Sequence, residues 1–234
     1  MSQLFLNHWF LSEEKDDHFS LASQRDDAIM ARLADAARKH AVVLVCPFFE
    51  KKGDKHFSSA AVFDRDGSLA GVYQKLHIPH IPDWKEKYYF SPGEEGLPVF
   101  HTAYGRIGVQ LCWDNFFPEP TRVLALKGAE IIFAPTAAAY ASQERWYHVI
   151  AANAFVNNLF VFRVNRVGHD KGLDFYGESF CVNPLGEFIA EPVAVKENIL
   201  MADVNLAMVQ EVREQSGFFR DRQASLYTDL AVTE

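Results

Sequence analysis

The chain has 234 residues, 49% of them hydrophobic, and a formal net charge of −8. That content suits one domain, residues 1–234, with a sizeable core, and the acidic balance argues against nucleic acid or an anionic membrane as the main partner while tolerating a cationic substrate. Three scattered cysteines, Cys46, Cys112 and Cys181, exclude a disulfide framework and a Cys–Cys metal site.

A sparse thiol count is typical of a reducing compartment. The short apolar run at the N-terminus turns acidic at once, in Ser12-Glu-Glu-Lys-Asp-Asp17, so it does not read as a signal peptide. No stretch approaches the roughly 18 apolar residues of a membrane span. A cytoplasmic protein is the prediction.

In chain order, residues 21–40 place Ile29, Met30, Leu33 and Ala37 on one face at helical spacing. The wholly apolar run Ala41–Cys46 reads as a buried strand. Segments 57–63 and 69–74 flank Asp64-Arg-Asp-Gly67 and read as a hairpin. Residues 75–97, broken by Pro79, Pro82 and Pro92, form a long loop of the kind that often carries function. Arg106–Leu111 is a second buried strand, and it delivers Cys112.

A helix over 119–127 stops near Gly128; Ile131–Ala134 is a strand, 143–157 a helix and Leu159–Val164 a strand. Segments 175–182 and 188–192 form another hairpin around Asn183-Pro-Leu-Gly186, followed by a strand at 198–204 and a helix at 205–214. Strands alternating with helices, plus hairpins, predict a layered α/β protein with a mixed sheet.

Cys112 stands where a strand gives way to Trp113-Asp-Asn-Phe-Phe-Pro-Glu119 and then a helix. The carboxyl end of a strand faces the crevice where α/β folds place their chemistry. A tight turn there offers N–H groups to an oxyanion, and a helix start favours a thiolate. Taken alone, a free cysteine is more often buried and inert, which is the reading preferred for Cys46 and Cys181. Lys75 ends the strand Gly71-Val-Tyr-Gln74, where its ammonium can stabilise an oxyanion and lower a thiol pKa. Glu86 sits among aromatics that would desolvate it toward a useful base, though one acid in a charged loop is otherwise ordinary. His77 and His80 lack metal-ligand spacing, so neither a metal nor another cofactor is expected.

Together, Gly71–Pro79, Glu86–Gly93, Ile107–Asp114, Phe117–Glu119, Gly128–Thr136, Val164–Gly168, Phe175–Phe180 and Gly217–Arg222 resemble the nitrilase superfamily, and more narrowly its N-carbamoylputrescine amidase branch. The resemblance covers nearly the whole chain. It implies a four-layer α-β-β-α sandwich with mixed sheets, a homodimer or higher homo-oligomer, and a small amide or ureido substrate. It also implies that Cys112 attacks the substrate carbon, and that Lys75 and the backbone N–H of Trp113 hold the oxyanion. Glu86 matches a supporting glutamate. Residues 137–146 fall at the pocket rim, where Glu144 is either a solvated acid at a helix start, the commoner case, or a contact for a substrate amine, and where Trp146 matches a family position but is equally well explained by core packing.

One position departs from the pattern. The family's general-base Glu lies in a Gln-Glu-Leu-Phe segment, whereas Ser2-Gln-Leu-Phe5 puts Gln3 there. By resemblance, the first strand and first helix are expected to be missing too, leaving an unpaired sheet edge. Glu50 belongs to a different segment and is not the replacement base. A glutamine accepts no thiol proton, so a non-catalytic binding protein is the competing reading, and a filament-forming protein a third.

Overall fold

The computed structural model describes residues 1–139, 142–194 and 199–232. Residues 1–15 form turns and loops, with Leu4, Trp9, Phe10 and Leu11 buried. Helix α1, Ala28–His40, follows. Met30 and Ala37 are buried and Ile29 and Leu33 pack beside them, as the helical spacing predicts. The helix ends at Ala41, whose φ of 51° is left-handed, after a basic last turn that suits the helix dipole.

Strands β1 (Leu44–Lys52), β2 (Lys55–Phe63) and β3 (Leu69–Gln74) form an antiparallel sheet in that order. The β1–β2 hairpin was not anticipated; its turn uses Gly53 at φ 60°. Side chains alternate across this sheet. Cys46, Phe48, Ala61 and Phe63 pack with Met30 and Ala37 of α1. Val45, Ala60, Val62 and Tyr73 face the other way, into the second sheet. Ser23 pairs with β1 through Ser23 N to Phe49 O, 2.8 Å, and Lys51 N to Ser23 O, 2.9 Å.

The loop after β3 contains one short helix, α2 (Glu86–Tyr89). Next come β4 (Phe100–Thr102), β5 (Gly105–Val109), α3 (Pro118–Leu126), β6 (Ile131–Thr136), α4 (Gln143–Asn157), β7 (Phe160–Asn165), β8 (Val167–Asp170), β9 (Leu173–Val182), β10 (Phe188–Ala194) and α5 (Ala207–Ser216). The second sheet runs β10-β9-β7-β6-β5-β4, with β8 paired to β9. Its β5–β6 and β6–β7 pairs are parallel and the remaining pairs antiparallel, so the sheet is mixed.

Phe100, Ile107, Val109, Ile131 and Phe160 meet the first sheet, while Leu124 of α3 and Ile150 and Ala154 of α4 cover the opposite face. The layers are therefore helix, sheet, sheet, helix. Each fully buried Leu, Ile or Phe contributes about 1.5–3 kcal/mol to holding them together.

Strands β4 and β8, three and four residues long, escaped the sequence reading. The strand expected at 198–204 is not formed. Residue 198 lies outside the described residues, and 199–204 join no ladder. Ile199 and Met201 are 81% and 83% exposed: apolar character alone does not make a strand.

Candidate active site

The parallel strands bring three loops to one end of the second sheet, the place where such folds gather their chemistry. Cys112 follows β5 at the head of a 3-10 turn, Cys112–Phe116. Its φ is 46°, a left-handed conformation that costs a non-glycine residue free energy unless neighbours enforce it. Asp114 does much of that. Its carboxylate accepts the Leu111 N–H at 3.0 Å and the Tyr73 hydroxyl at 2.6 Å. The His77 N–H reaches it at 3.0 Å and the His77 ring at 2.9 Å. Asn115 then donates to the Cys112 carbonyl at 2.9 Å, and Asn153 of α4 donates to the Asn115 carbonyl at 2.9 Å. The turn is thus tied to both sheets and to α4.

Lys75 follows β3 directly, held by its N–H to Ser58 O at 2.9 Å and by Gly93 N to its own carbonyl at 2.8 Å. Gly93 is required there, because a Cβ would lie 2.3 Å from Gln74 O. The Lys75 ammonium meets Glu86 at 2.5 Å, and both side chains are 0% exposed. Gln3 donates to the second Glu86 oxygen at 3.4 Å and to Ser58 Oγ at 3.4 Å. The sequence-predicted Cys112, Lys75, Glu86 and Gln3 therefore share one buried neighbourhood. Glu50 does not join it: Arg25, Ser59 and Gln74 hold its carboxylate.

Burial pushes the Cys112 thiol up, and the Lys75 ammonium, an Ala137 N–H and Arg163 only partly offset this against the added push of Glu86. The expected depressed thiol pKa is not found; dehydration outweighs the nearby cations. Burial pulls Lys75 down, but Glu86, Cys112 and Asp114 more than reverse that, so its pKa is raised. Burial raises the Glu86 carboxyl, opposed by Lys75 and Gln3. The two partners lean in conflicting senses. The 2.5 Å contact in a water-excluded site favours the charged pair, because separating or neutralising it leaves a polar group buried alone.

Cys112 borders a cavity of about 510 Å³ walled by Trp84, Trp113, Phe116 and Trp146, with Ala137–Ala139 along one side. Lys75 is fully buried and does not line it. Among the described residues the Trp113 N–H has no backbone acceptor, leaving a donor beside the sulfur. Trp146 is a wall, packed on Phe116 with ring centroids 4.6 Å apart. Glu144 is exposed on the first turn of α4 and is not among the lining residues, whereas Arg145 is. The helical phase turns the acid away from the rim. Of the rim segment 137–146, Tyr140 and Ala141 lie outside the described residues.

His77 stacks on Phe117 at 3.7 Å in addition to its bonds with Asp114. Among the described residues no group of three His, Cys, Asp or Glu side chains could hold a metal, and no helix is long and apolar enough to cross a membrane.

Three residues were overlooked from sequence. Asp114 and Asn115 lie beside the cysteine, yet their partners are distant in the chain. Arg163 interrupts the apolar strand Phe160–Asn165, and a cation in a buried strand was a readable signal. It is 0% exposed, donates to Tyr176 Oη at 2.7 Å and Glu178 O at 3.2 Å, and lies 4.8 Å from the Trp146 ring centroid.

The carbon-nitrogen hydrolase family model matches residues 4–214. The chain is 36% identical to N-carbamoylputrescine amidase of Arabidopsis thaliana, over 98% of this chain and 82% of that protein. It is 39% identical to citrullinase of Francisella tularensis, over 95% of this chain and 82% of that one. The crystal structure of a carbon-nitrogen hydrolase from Helicobacter pylori superposes with a TM-score of 0.94 at 37% identity, covering 99% of this chain and 85% of that one. A glutamate-to-glutamine mutant of an amidase from Nesterenkonia sp., showing covalent addition of the acetamide moiety of fluoroacetamide at its active-site cysteine, superposes with a TM-score of 0.82 at 27% identity, covering 98% and 81%.

Proposed function

The chain belongs to the carbon-nitrogen hydrolase family, within the nitrilase superfamily, and we propose that residues 1–234 work as one domain hydrolysing small linear amides or ureido compounds through a Cys112 thioester. The observation that carries this reading is the strained, cavity-facing Cys112 backed by the buried Lys75–Glu86 pair.

The Cys112 sulfur attacks the substrate carbon as its proton passes to Glu86, the carboxylate whose burial biases it toward holding a proton. Lys75 and the Trp113 N–H hold the tetrahedral oxyanion. The carbon–nitrogen bond breaks, Glu86 returns the proton to the leaving nitrogen, and ammonia departs. Water then adds to the thioester carbon, giving its proton to Glu86. The carbon–sulfur bond breaks, and the sulfur is reprotonated. One water is consumed for each ammonia released.

In this scheme Gln3 only orients Glu86. Gln3 also favours a second reading, in which the pocket binds its ligand without turnover. Ammonia release from N-carbamoylputrescine, citrulline and simple amides, with Cys112→Ala as control, separates the two. Turnover lost in the control supports the hydrolase; binding without turnover of any amide, ureide or nitrile supports the second reading.

A further inference from the structure

The charge around the cavity has the opposite sign to the protein's. The chain carries a net charge of −8. Yet no carboxylate lines the cavity among the described residues, and the charged side chain that does is Arg145. Arg145 makes no hydrogen bond or ion pair among the described residues. Tyr140 and Ala141, outside them, bring no carboxylate. Glu144 is exposed and off the lining, and Glu178 accepts the Tyr147 hydroxyl at 2.9 Å without bordering the cavity.

Helix α4 adds to this. Ser142, Arg145 and Trp146 all border the cavity, so the positive end of a 15-residue helix abuts it. The Ser142 side chain does not cap that helix; its hydroxyl turns to Ala139 O at 3.3 Å. Behind Trp146, the buried Arg163 has two neutral oxygens as partners, and its Nε has none among the described residues. Arg145 is exposed at the rim and Arg163 is buried over the Trp146 ring, with no carboxylate bonded to either among the described residues; cations so placed attract an anion and repel a second cation.

We infer that the cavity selects a linear amide or ureide whose far end carries a carboxylate, held by Arg145 at the start of α4. The inference rests on the hydrolase reading for its reactive end, and on Arg145 for the other. A trailing ammonium meets Arg145 and the positive end of a helix, with Arg163 behind the Trp146 wall, and finds no acid on the lining among the described residues. Arg145 is thus a specificity residue.

The test uses three ureides of similar length: 4-ureidobutanoate, butylurea and N-carbamoylputrescine, ending in a carboxylate, a methyl and an ammonium. Binding is measured by calorimetry on Cys112→Ala, and turnover by ammonia release on the parent chain. We expect the carboxylate probe to bind at least about tenfold tighter than butylurea, with the ammonium probe weakest, and Arg145→Gln to erase most of that ratio. Equal binding of the three, tighter binding of the ammonium probe, no binding of any, or a ratio unmoved by Arg145→Gln overturns the inference. A carboxylate preference without turnover overturns only the hydrolase reading. Turnover without the preference overturns only this one.

Discussion

Gln3 and Lys75 grip the same carboxylate from opposite oxygens: Lys75 Nζ lies 2.5 Å from Glu86 Oε2, and Gln3 Nε2 lies 3.4 Å from Glu86 Oε1. The cation neutralises Glu86, while the amide adds a long, neutral bond and leaves its own Oε1 buried without a partner among the described residues. A glutamate at position 3 would place a second negative charge beside Lys75 and supply a second proton acceptor besides Glu86.

Replacing Gln3 with Glu should therefore raise kcat by about 10²-fold on any substrate the parent turns over, and add an acidic limb to the pH–rate profile. Steady-state ammonia release between acid and neutral pH checks this. An unchanged rate and profile would mean that Glu86 already does all of the base's work.

Cys112→Ala should remove turnover by about 10³-fold or more while leaving the melting temperature close to the parent's. Intact mass during turnover should show an acyl or carbamoyl adduct on the parent and none on the variant. An active Cys112→Ala chain rules out the thioester.

Lys75→Met strands the Glu86 carboxylate in a dry site. Urea unfolding should show a loss of about 3–5 kcal/mol. Adding Glu86→Gln to it should restore part of that stability without restoring activity. A double variant no more stable than Lys75→Met alone would show that the pair is not the stabilising unit.

Thiol alkylation should separate the three cysteines. Burial raises the Cys112 thiol, so fewer thiolates exist at a given pH and its iodoacetamide labelling should rise only above the range of an ordinary thiol. Lys75 opposes that shift, so Lys75→Met should move the midpoint higher still. Cys46 and Cys181, both 0% exposed and pushed to about 12, should stay unlabelled in the folded protein. Peptide mass spectrometry across pH reads all three; a Cys112 midpoint that stays put in the Lys75 variant argues against their coupling.

Tyr73→Phe deletes the 2.6 Å bond to Asp114, one of four contacts that the structure gives this carboxylate. A loss of about 1.5–3 kcal/mol is expected for a bond to a buried charge. Because Asp114 braces the left-handed Cys112, kcat should fall with KM little changed. A KM effect alone would assign Tyr73 to substrate binding instead.

The sequence by itself determined the elements whose signal is local. Ile29, Met30, Leu33 and Ala37 marked α1; the apolar runs marked β1, β5, β6 and β7; Asp64-Arg-Asp-Gly67 marked the β2–β3 turn. The ordered motifs around Lys75, Glu86 and Cys112 pointed to one site from segments far apart in the chain. Only the tertiary structure decided how those segments meet. It joined Tyr73 and His77 to Asp114, kept Lys75 off the cavity lining, and gave residues 199–204 no strand. It also put Arg145, not Glu144, at the cavity. Periodicity reports which face of an element is apolar, whereas these outcomes depend on helix phase, strand pairing and competition for buried hydrogen bonds. Each of those is settled only when distant parts of the chain are packed against one another.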